Sequence, residues 1–430
     1  MGSTTLQLFS PPASWPRCGL GKPGRRLLTA LDLTDAAASD RLIRKFVASS
    51  SKHVALETLS HLLSHRLVSF ALPMYRRISE ASWYKWNPRL LAELAASLEL
   101  EHRCEESQSL ISDSLRNLPP RDLGILYCEL IESYAKNQLK QQAIDCFSRL
   151  KQIPSVPTSV HRQAHGALIA GLCTLQLPEE AERVAQSMVE NEGFRPTSFE
   201  LRAILLCYGR LGLFGEMKRI ITQMKEFDTV TANMVLSCYG HHQELRQMLH
   251  CLQEMRHSQF DFSLRTYNSV LNHCPVISSI LQYPRSLPLS TKELFGRLDN
   301  TIGGEIEALL IKELIMSDVL AQTSHWSDSD AKLDVHGMHL GSAYLILLQW
   351  VEELKQRLSA GEPSPAEISV VCGSGKNSCI TGESPIKKLV SELLFRMNSP
   401  LKIDRRNVGR FVAGGRAAKV WLLGRGSPLA

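Results

Sequence analysis

Leu333-Asp334-Val335-His336-Gly337-Met338, read with Val370-Val371-Cys372-Gly373-Ser374-Gly375-Lys376 about one helix further on, is the one tight cluster of chemically able groups in this chain. Asp334 and His336 are two apart on an expected strand, so their side chains share a face. Phosphodiester hydrolysis needs a proton acceptor, a proton donor and positive charge on the phosphate. Asp334 and His336 can supply the first two, or Asp334 can hold a divalent cation such as Mg or Mn. Gly373 and Gly375 let backbone N–H groups approach an anion closely, with Lys376 beside them. The catalytic candidates are therefore Asp334, His336 and Lys376. The loop is not a Walker A motif, which would need Gly where Val370 stands and Ser or Thr where Asn377 stands. A structural role is also open to Asp334 and His336, since such a pair can cap the following helix or orient the turn. His336-x-x-His339 has no third ligand nearby, which speaks against zinc.

The elements that must position these residues fall in 332–423. Lys332–His336 reads as a strand. Leu340–Leu358 reads as a helix with Ala343, Leu347, Val351 and Leu354 on one face, closed by Gly361. Ile368–Cys372 is an apolar strand. Ser384 and Pro385 are an N-cap and first helical residue, and that helix runs to about Met397. Leu401–Ile403, Phe411–Ala413 and Lys419–Leu423 read as three more strands. The order β-α-β-α-β-β implies a small α/β sandwich, with 424–430 as a tail. Across 396–419, Arg396, Lys402, Arg405, Arg406, Arg410, Arg416 and Lys419 face only Asp404. Such a basic surface suits phosphate contact, and Arg405, Arg406 and Arg410 are its binding candidates.

Upstream, the apolar period is helical. Segments 41–123 carry imperfect helical units. From 124 the register is clear over 124–161, 162–197, 198–228 and 229–263. The seventh residue of each unit is Leu130, Leu168, Ile204 or Val235, and the eighth Ile131, Ile169, Leu205 or Leu236. The eleventh is Tyr134, Leu172, Tyr208 or Tyr239. The twentieth is Ala143, Ala181, Met217 or Met248, and the twenty-seventh Leu150, Met188, Met224 or Met255. Each unit is helix, turn, helix. One such pair cannot bury both faces, so neighbours must stack into a solenoid. After Asn272 the pattern fails, with Pro275, Pro284 and Pro288 as breakers. Within 299–331, Glu305–Asp318 returns as an amphipathic helix and Ser317–Asp330 reads as a linker.

Thr231-Ala-Asn233-Met-Val-Leu-Ser-Cys-Tyr239 and Arg265-Thr-Tyr-Asn268-Ser-Val-Leu271 resemble the opening of a pentatricopeptide repeat. Leu177-Pro-Glu-Glu-Ala181 and Gln223-Met-Lys-Glu226 resemble its second helix. The resemblance covers roughly 85–298. The end of the chain resembles the small MutS-related (Smr) domain over about 333–423. It does so through Leu333-Asp-Val-His-Gly337, Gly373-x-Gly375-Lys376-x-Ser378, Ser384-Pro385, and Asn407-x-Gly409-Arg-Phe-Val-Ala-Gly414 before Val420-Trp-Leu422. Ser374 and Asn377 stand where that family commonly carries an aromatic and a histidine.

These resemblances imply a mainly α architecture, a helical repeat array 124–298 followed by the α/β unit, of the plant organellar type. They imply single-stranded RNA as ligand, one base per repeat, with an end-domain that binds and in some members cleaves nucleic acid. The fifth and last residues of a repeat matter most. The fifth residues are Cys128, Gly166, Arg202, Asn233 and Asn268, and the last are His161, Thr197, Asp228 and Ser263. Only Asn233 and Asn268 match common readers, and both point to a pyrimidine. The array itself is near neutral, with fourteen Lys and Arg against fifteen Asp and Glu over 124–263, which speaks against a tight non-specific grip on phosphates.

Composition bounds the rest. The 430 residues are 44% hydrophobic with a formal net charge of +6, enough for two or three cores. Eleven cysteines with no Cys-x-x-Cys pair argue for a reducing compartment. No apolar run spans a membrane, so no membrane partner is expected. Residues 1–40 open with Arg17, Lys22, Arg25 and Arg26 and no acid before Asp32, as a transit peptide does; chloroplast is the expected compartment and mitochondrion the alternative. The expected function is RNA processing or expression in an organelle, with other RNA-processing or nucleoid proteins as partners. The alternative is a non-enzymatic adaptor whose helices bind a protein. A third is DNA nicking in a nucleoid.

Overall fold

The computed structural model describes residues 20–31, 33, 36–116, 118–153, 156–224, 227–373 and 384–424. The chain divides into two compact units, 1–207 and 208–430. No helix among the described residues is long and apolar enough to cross a membrane.

The first unit is built of helix pairs. Val68–Ser79, Pro88–Leu100, Cys104–Leu115, Pro120–Lys136, Lys140–Lys151, Thr158–Thr174 and Pro178–Glu192 follow one another. The two helices of a repeat are joined by one recurring turn. Its pivot is a residue with positive φ: His102, Gln138 and Gln176 here, and Gly212 and Gln243 in the second unit. The next residue's N–H reaches back to the carbonyl five positions before the pivot's neighbour: Leu139 N to Tyr134 O, Leu177 N to Leu172 O, Leu213 N to Tyr208 O, each 2.9 to 3.0 Å. That is a Schellman closure, which satisfies the last carbonyls of the first helix and reverses the chain. Arg66, at φ 57°, carries the same turn, with Leu67 N on Leu62 O at 2.9 Å. The helix–turn–helix plan thus begins well before residue 124. The stripe residues at the five recurring places are all buried, none more than 9% exposed.

The N-terminal helix Lys22–Leu31 buries Gly24, Leu27 and Leu31. Gly21 N donates to Glu57 Oε1 at 3.3 Å, so the described part of 1–40 is packed structure.

In the second unit, helix pair Thr229–His241 and Leu245–His257 is followed by a shorter pair, Leu264–Leu271 and Pro275–Leu281. Pro275 does not end a helix; it starts one, at the first position where its missing N–H costs nothing. The carboxylate of Glu307, on helix Gly304–Ile315, accepts from Val276 N at 2.8 Å and Ile277 N at 3.0 Å and so closes that helix start. The region 317–330 is not a linker: it forms helix Val319–Thr323 and an edge strand.

A five-stranded sheet closes the unit: β1 Ser324–Trp326, β2 Asp330–Asp334, β3 Glu367–Val371, β4 Lys402–Ile403 and β5 Arg410–Gly414, in the order β1-β2-β3-β5-β4. Among the described residues three pairings are antiparallel, and β2 and β3 pair in parallel. Helix Leu340–Ser359 makes their crossover, as a parallel pair requires. Lys419–Leu423, expected as a strand, is part of helix Gly415–Leu423. Gly415, Ala418, Trp421 and Leu422 are its buried residues, a helical spacing. Trp421 Nε1 donates to Met397 O at 2.7 Å, a bond that fixes this face inward. The β-rich look of Val420-Trp421-Leu422 is overridden by that packing.

Helix Leu340–Ser359 is buried along most of its length. It lies between the sheet and the last helix pair. A side chain at Gly341 would come within 3.1 Å of Leu271 Cβ, and Tyr344 Oη donates to Pro288 O at 2.9 Å.

Candidate nucleic-acid interface

β2 ends at Asp334, and one further backbone bond, Val335 N to Val371 O at 2.9 Å, holds the turn against β3. Gly337 then takes φ 75°, which a residue with a side chain rarely adopts, and the chain enters helix Leu340–Ser359. Asp334 Oδ1 accepts from His336 N at 3.0 Å and lies 3.5 Å from His336 Nδ1. The acid therefore orients the turn and faces the ring, while the His336 side chain stays 70% exposed. Gly373, at the end of β3 with φ 78°, lies against this ring: a Cβ there would sit 3.7 Å from His336 Cβ and 3.9 Å from Cδ2. Gly375 and Lys376 lie outside the described residues.

The turns after β2 and β3 share one end of the sheet with the β4–β5 hairpin, because Cys372 N donates to Gly409 O at 2.8 Å. Arg405 and Arg406 are exposed on that hairpin. Arg406 N donates to Asp404 Oδ1 at 2.8 Å, which shapes the turn. Arg410 is engaged otherwise, with Glu367 and, at 3.5 Å, with Asp404. Arg396 donates to the carbonyls of Leu287 and Pro284 at 2.6 and 3.2 Å. Arg416 and Lys419 ride on the helix that leaves the far end of β5. The basic run of 396–419 is thus spread over several faces, and Arg405 and Arg406 are its members at the strand ends. Burial pushes the Cys372 thiol up to about 12, so it is no nucleophile at neutral pH. No group of three potential metal ligands occurs among the described residues. Asp334 offers a divalent ion one carboxylate, which suffices only where water and a substrate phosphate complete the shell.

Between these turns and the last helix pair lies a cavity of about 990 Å³. His336, Gly337, Met338 and Gly373 form its sheet side, and Leu271, Asn272, Ser278 and Gln282 its helical side. Asn272 Nδ2 meets His339 Nδ1, which joins the two sides. Sequence reasoning did not single out Asn272, Ser278 or Gln282, since nothing in their types or spacing marks a wall built from another element.

The repeat positions separate in the same way. Cys128 is buried, and a Cβ on Gly166 would lie 3.1 Å from Glu200 Oε1. Asp228 and Ser263, at unit ends, cap the next helix, Asp228 Oδ1 accepting from Thr231 N at 2.9 Å and Ser263 closing a capping box with Thr266. Asn268 Oδ1 accepts from His339 N at 3.2 Å and Ser342 Oγ at 2.7 Å, binding the repeat to the start of helix Leu340–Ser359. Asn233 is different. Its Nδ2 donates to Ser263 Oγ at 3.5 Å, but its buried Oδ1 has no partner among the described residues. One helical turn before it, on the same face, Val230 is 42% exposed. The sequence marked Asn233 by its place in the repeat and did not single out Val230 beside it.

The pentatricopeptide repeat model matches residues 230–260, which is the Thr229–His241 and Leu245–His257 pair. Over 421 residues the chain is 45% identical to pentatricopeptide repeat-containing protein At2g17033 of Arabidopsis thaliana, covering 94% of this chain and 82% of that one. It is 21% identical over 258 residues to the maize pentatricopeptide repeat-containing protein ATP4, named chloroplastic, covering 36% of that protein. Among solved structures it is similar to the maize pentatricopeptide repeat protein PPR10, at 14% identity and a TM-score of 0.38, and spans 61% of that chain. The chain belongs to the pentatricopeptide repeat family.

Proposed function

We propose that this protein binds single-stranded RNA in a plant organelle, the chloroplast first, and acts there in RNA processing or expression. The observation that carries the reading is Asn233. A buried amide oxygen without a donor costs free energy; rotated outward beside the exposed Val230, the Asn233 amide would accept a nucleobase N–H. One base read by side chains of one repeat is the mode open to such helix pairs.

The strand ends are the second point of contact. The unit around them is Smr-like. Arg405 and Arg406 supply positive charge there, and His336, oriented by Asp334, presents an exposed ring able to donate a proton to a phosphate oxygen. A divalent cation held by Asp334 and the substrate would supply charge stabilisation. Gly373 leaves room for backbone to approach an anion.

The test uses the full chain and organellar total RNA, with and without Mg²⁺ or Mn²⁺, beside an Asp334→Ala/His336→Ala variant. Retention of RNA at moderate salt is expected in both. Cleavage by the parent that disappears in the variant would assign the chemistry to Asp334 and His336. Failure of both proteins to retain RNA would contradict the proposal and favour a protein-binding adaptor.

A further inference from the structure

We propose that Glu200 reads a nucleobase in place of Gly166, and that the position it reads takes a base bearing an exocyclic amino group and disfavours uracil. This rests on the reading of the chain as an RNA binder and adds to it a reader drawn from the following helix.

Gly166 and Thr197 are the fifth and last residues of their unit, the places that Asn233 and Ser263 hold in theirs. In the later unit the two side chains meet, Asn233 Nδ2 donating to Ser263 Oγ at 3.5 Å. In the earlier unit glycine leaves the fifth place bare. Apart from the chain around the glycine itself, the one described heavy atom within 4 Å of a Cβ built on Gly166 is Glu200 Oε1, at 3.1 Å. Thr197 is engaged elsewhere: its hydroxyl donates to Glu200 Oε2 and accepts from Phe199 N at 3.2 Å. Glu200, in the first turn of helix Ser198–Arg210, thus takes the place of the missing side chain.

Two observations point to a ligand there. Glu200 is only 6% exposed, and its carboxylate is half used. Oε2 takes Thr197 N at 2.7 Å and the Thr197 hydroxyl, while no described residue donates to Oε1 and no described cation pairs with it. Arg162, one helical turn before Gly166, is turned to the Phe194 ring, 6.0 Å from its centroid, and to Arg195 O at 3.4 Å. A buried carboxylate oxygen without a donor is unfavourable. The other observation is Phe199, next in the chain, which is 65% exposed. It holds in its unit the place that Val230 holds in the following one, and an exposed ring is a surface on which a base stacks. Thr197 is exposed as well, so the niche lies at the surface.

The chemistry of a carboxylate sets the choice. It accepts hydrogen bonds and donates none, and its charge repels phosphate. Adenine, cytosine and guanine each present an amino group to such an acceptor. Uracil has none, and its ring N–H lies between carbonyl oxygens that face the carboxylate unfavourably. The position therefore differs from that of Asn233, whose amide both donates and accepts.

The test measures affinity of the full chain for short single-stranded RNAs varied one position at a time, beside Glu200→Gln, Gly166→Ala and Asn233→Ala. At one position the parent should bind uracil about tenfold more weakly than an amino-bearing base, as expected for one hydrogen bond to a charged acceptor. Glu200→Gln keeps an oxygen for the Thr197 bonds and turns an N–H toward the niche. It should admit uracil there and leave the Asn233-dependent position unchanged. Gly166→Ala leaves the Thr197 bonds intact and should reduce discrimination at the same position, because the added methyl lies against Oε1. An unchanged base preference in both variants, or weakening that is equal for every base, overturns the assignment and leaves the RNA reading standing wherever Asn233→Ala still removes a preference. No binding of RNA by the parent, or no position sensitive to Asn233→Ala, would sink the reading beneath it, and this assignment with it.

Discussion

Asn268 and Asn233 occupy the same place in successive repeats, yet their side chains have different occupations. Asn268 accepts two hydrogen bonds from the beginning of helix Leu340–Ser359. Removing such an acceptor leaves a buried hydroxyl and an amide without a partner, at a cost of about 1–2 kcal/mol. Asn268→Ala should therefore lower Tm by several degrees while changing RNA affinity less than twofold. A large loss of affinity at unchanged Tm would make Asn268 a reader after all. The two asparagines were equally visible in the sequence because the motif marks the position. The difference between them was not visible, because the partners of Asn268 lie about seventy residues away, in an element whose docking no local pattern encodes. The same holds for Arg410: a basic residue in a basic run, whose charge is spent on Glu367 and Asp404.

The helix pairs that turn at Arg66, His102, Gln138, Gln176, Gly212 and Gln243 do so on a residue in the left-handed region, and at Gln138, Gln176 and Gln243 that residue is a glutamine. The left-handed conformation costs an L-residue about 1–2 kcal/mol, part of which glycine recovers less its own entropy. Changing all three to glycine should raise stability by about 0.5 kcal/mol at each site, and Tm with it. A fall in Tm would mean that the glutamine side chains hold the turns. Arg66 and His102, on which the first repeats turn, give no turn signal, so those repeats were not registered by pattern, while the apolar stripes registered the units from 124 despite their glutamine pivots. The proline at 275 misled for a related reason: it reads as a breaker, and only the buried Glu307 carboxylate shows it as a helix start.

Glu307 also gives that element a pH dependence. Burial holds its carboxyl above the usual range, against the opposing pull of the Val276 and Ile277 amides. The native chain then binds this proton more tightly than the unfolded chain does. Its contribution is whole below the unfolded carboxyl pKa and shrinks as pH rises through the native one. Urea midpoints measured upward from about pH 4 should show a decline that Glu307→Gln lacks. Parallel profiles for the two proteins would contradict this.

At the scale of the whole molecule, the mainly helical repeat plan was open to reading because stacking imposes a period on apolar residues. The sheet at the end was open to reading strand by strand, except where tertiary packing turned Lys419–Leu423 into helix and Ser324–Trp326 into an edge strand. On the proposed function, a near-neutral helical array selects RNA by base, with Asn233 as its defining contact. Equilibrium binding of the full chain to a random pool of short single-stranded RNA, at moderate salt, tests this most directly. The account predicts enrichment of a pyrimidine at one position, abolished by Asn233→Ala. Enrichment that is the same in both proteins, or no binding by either, would contradict it.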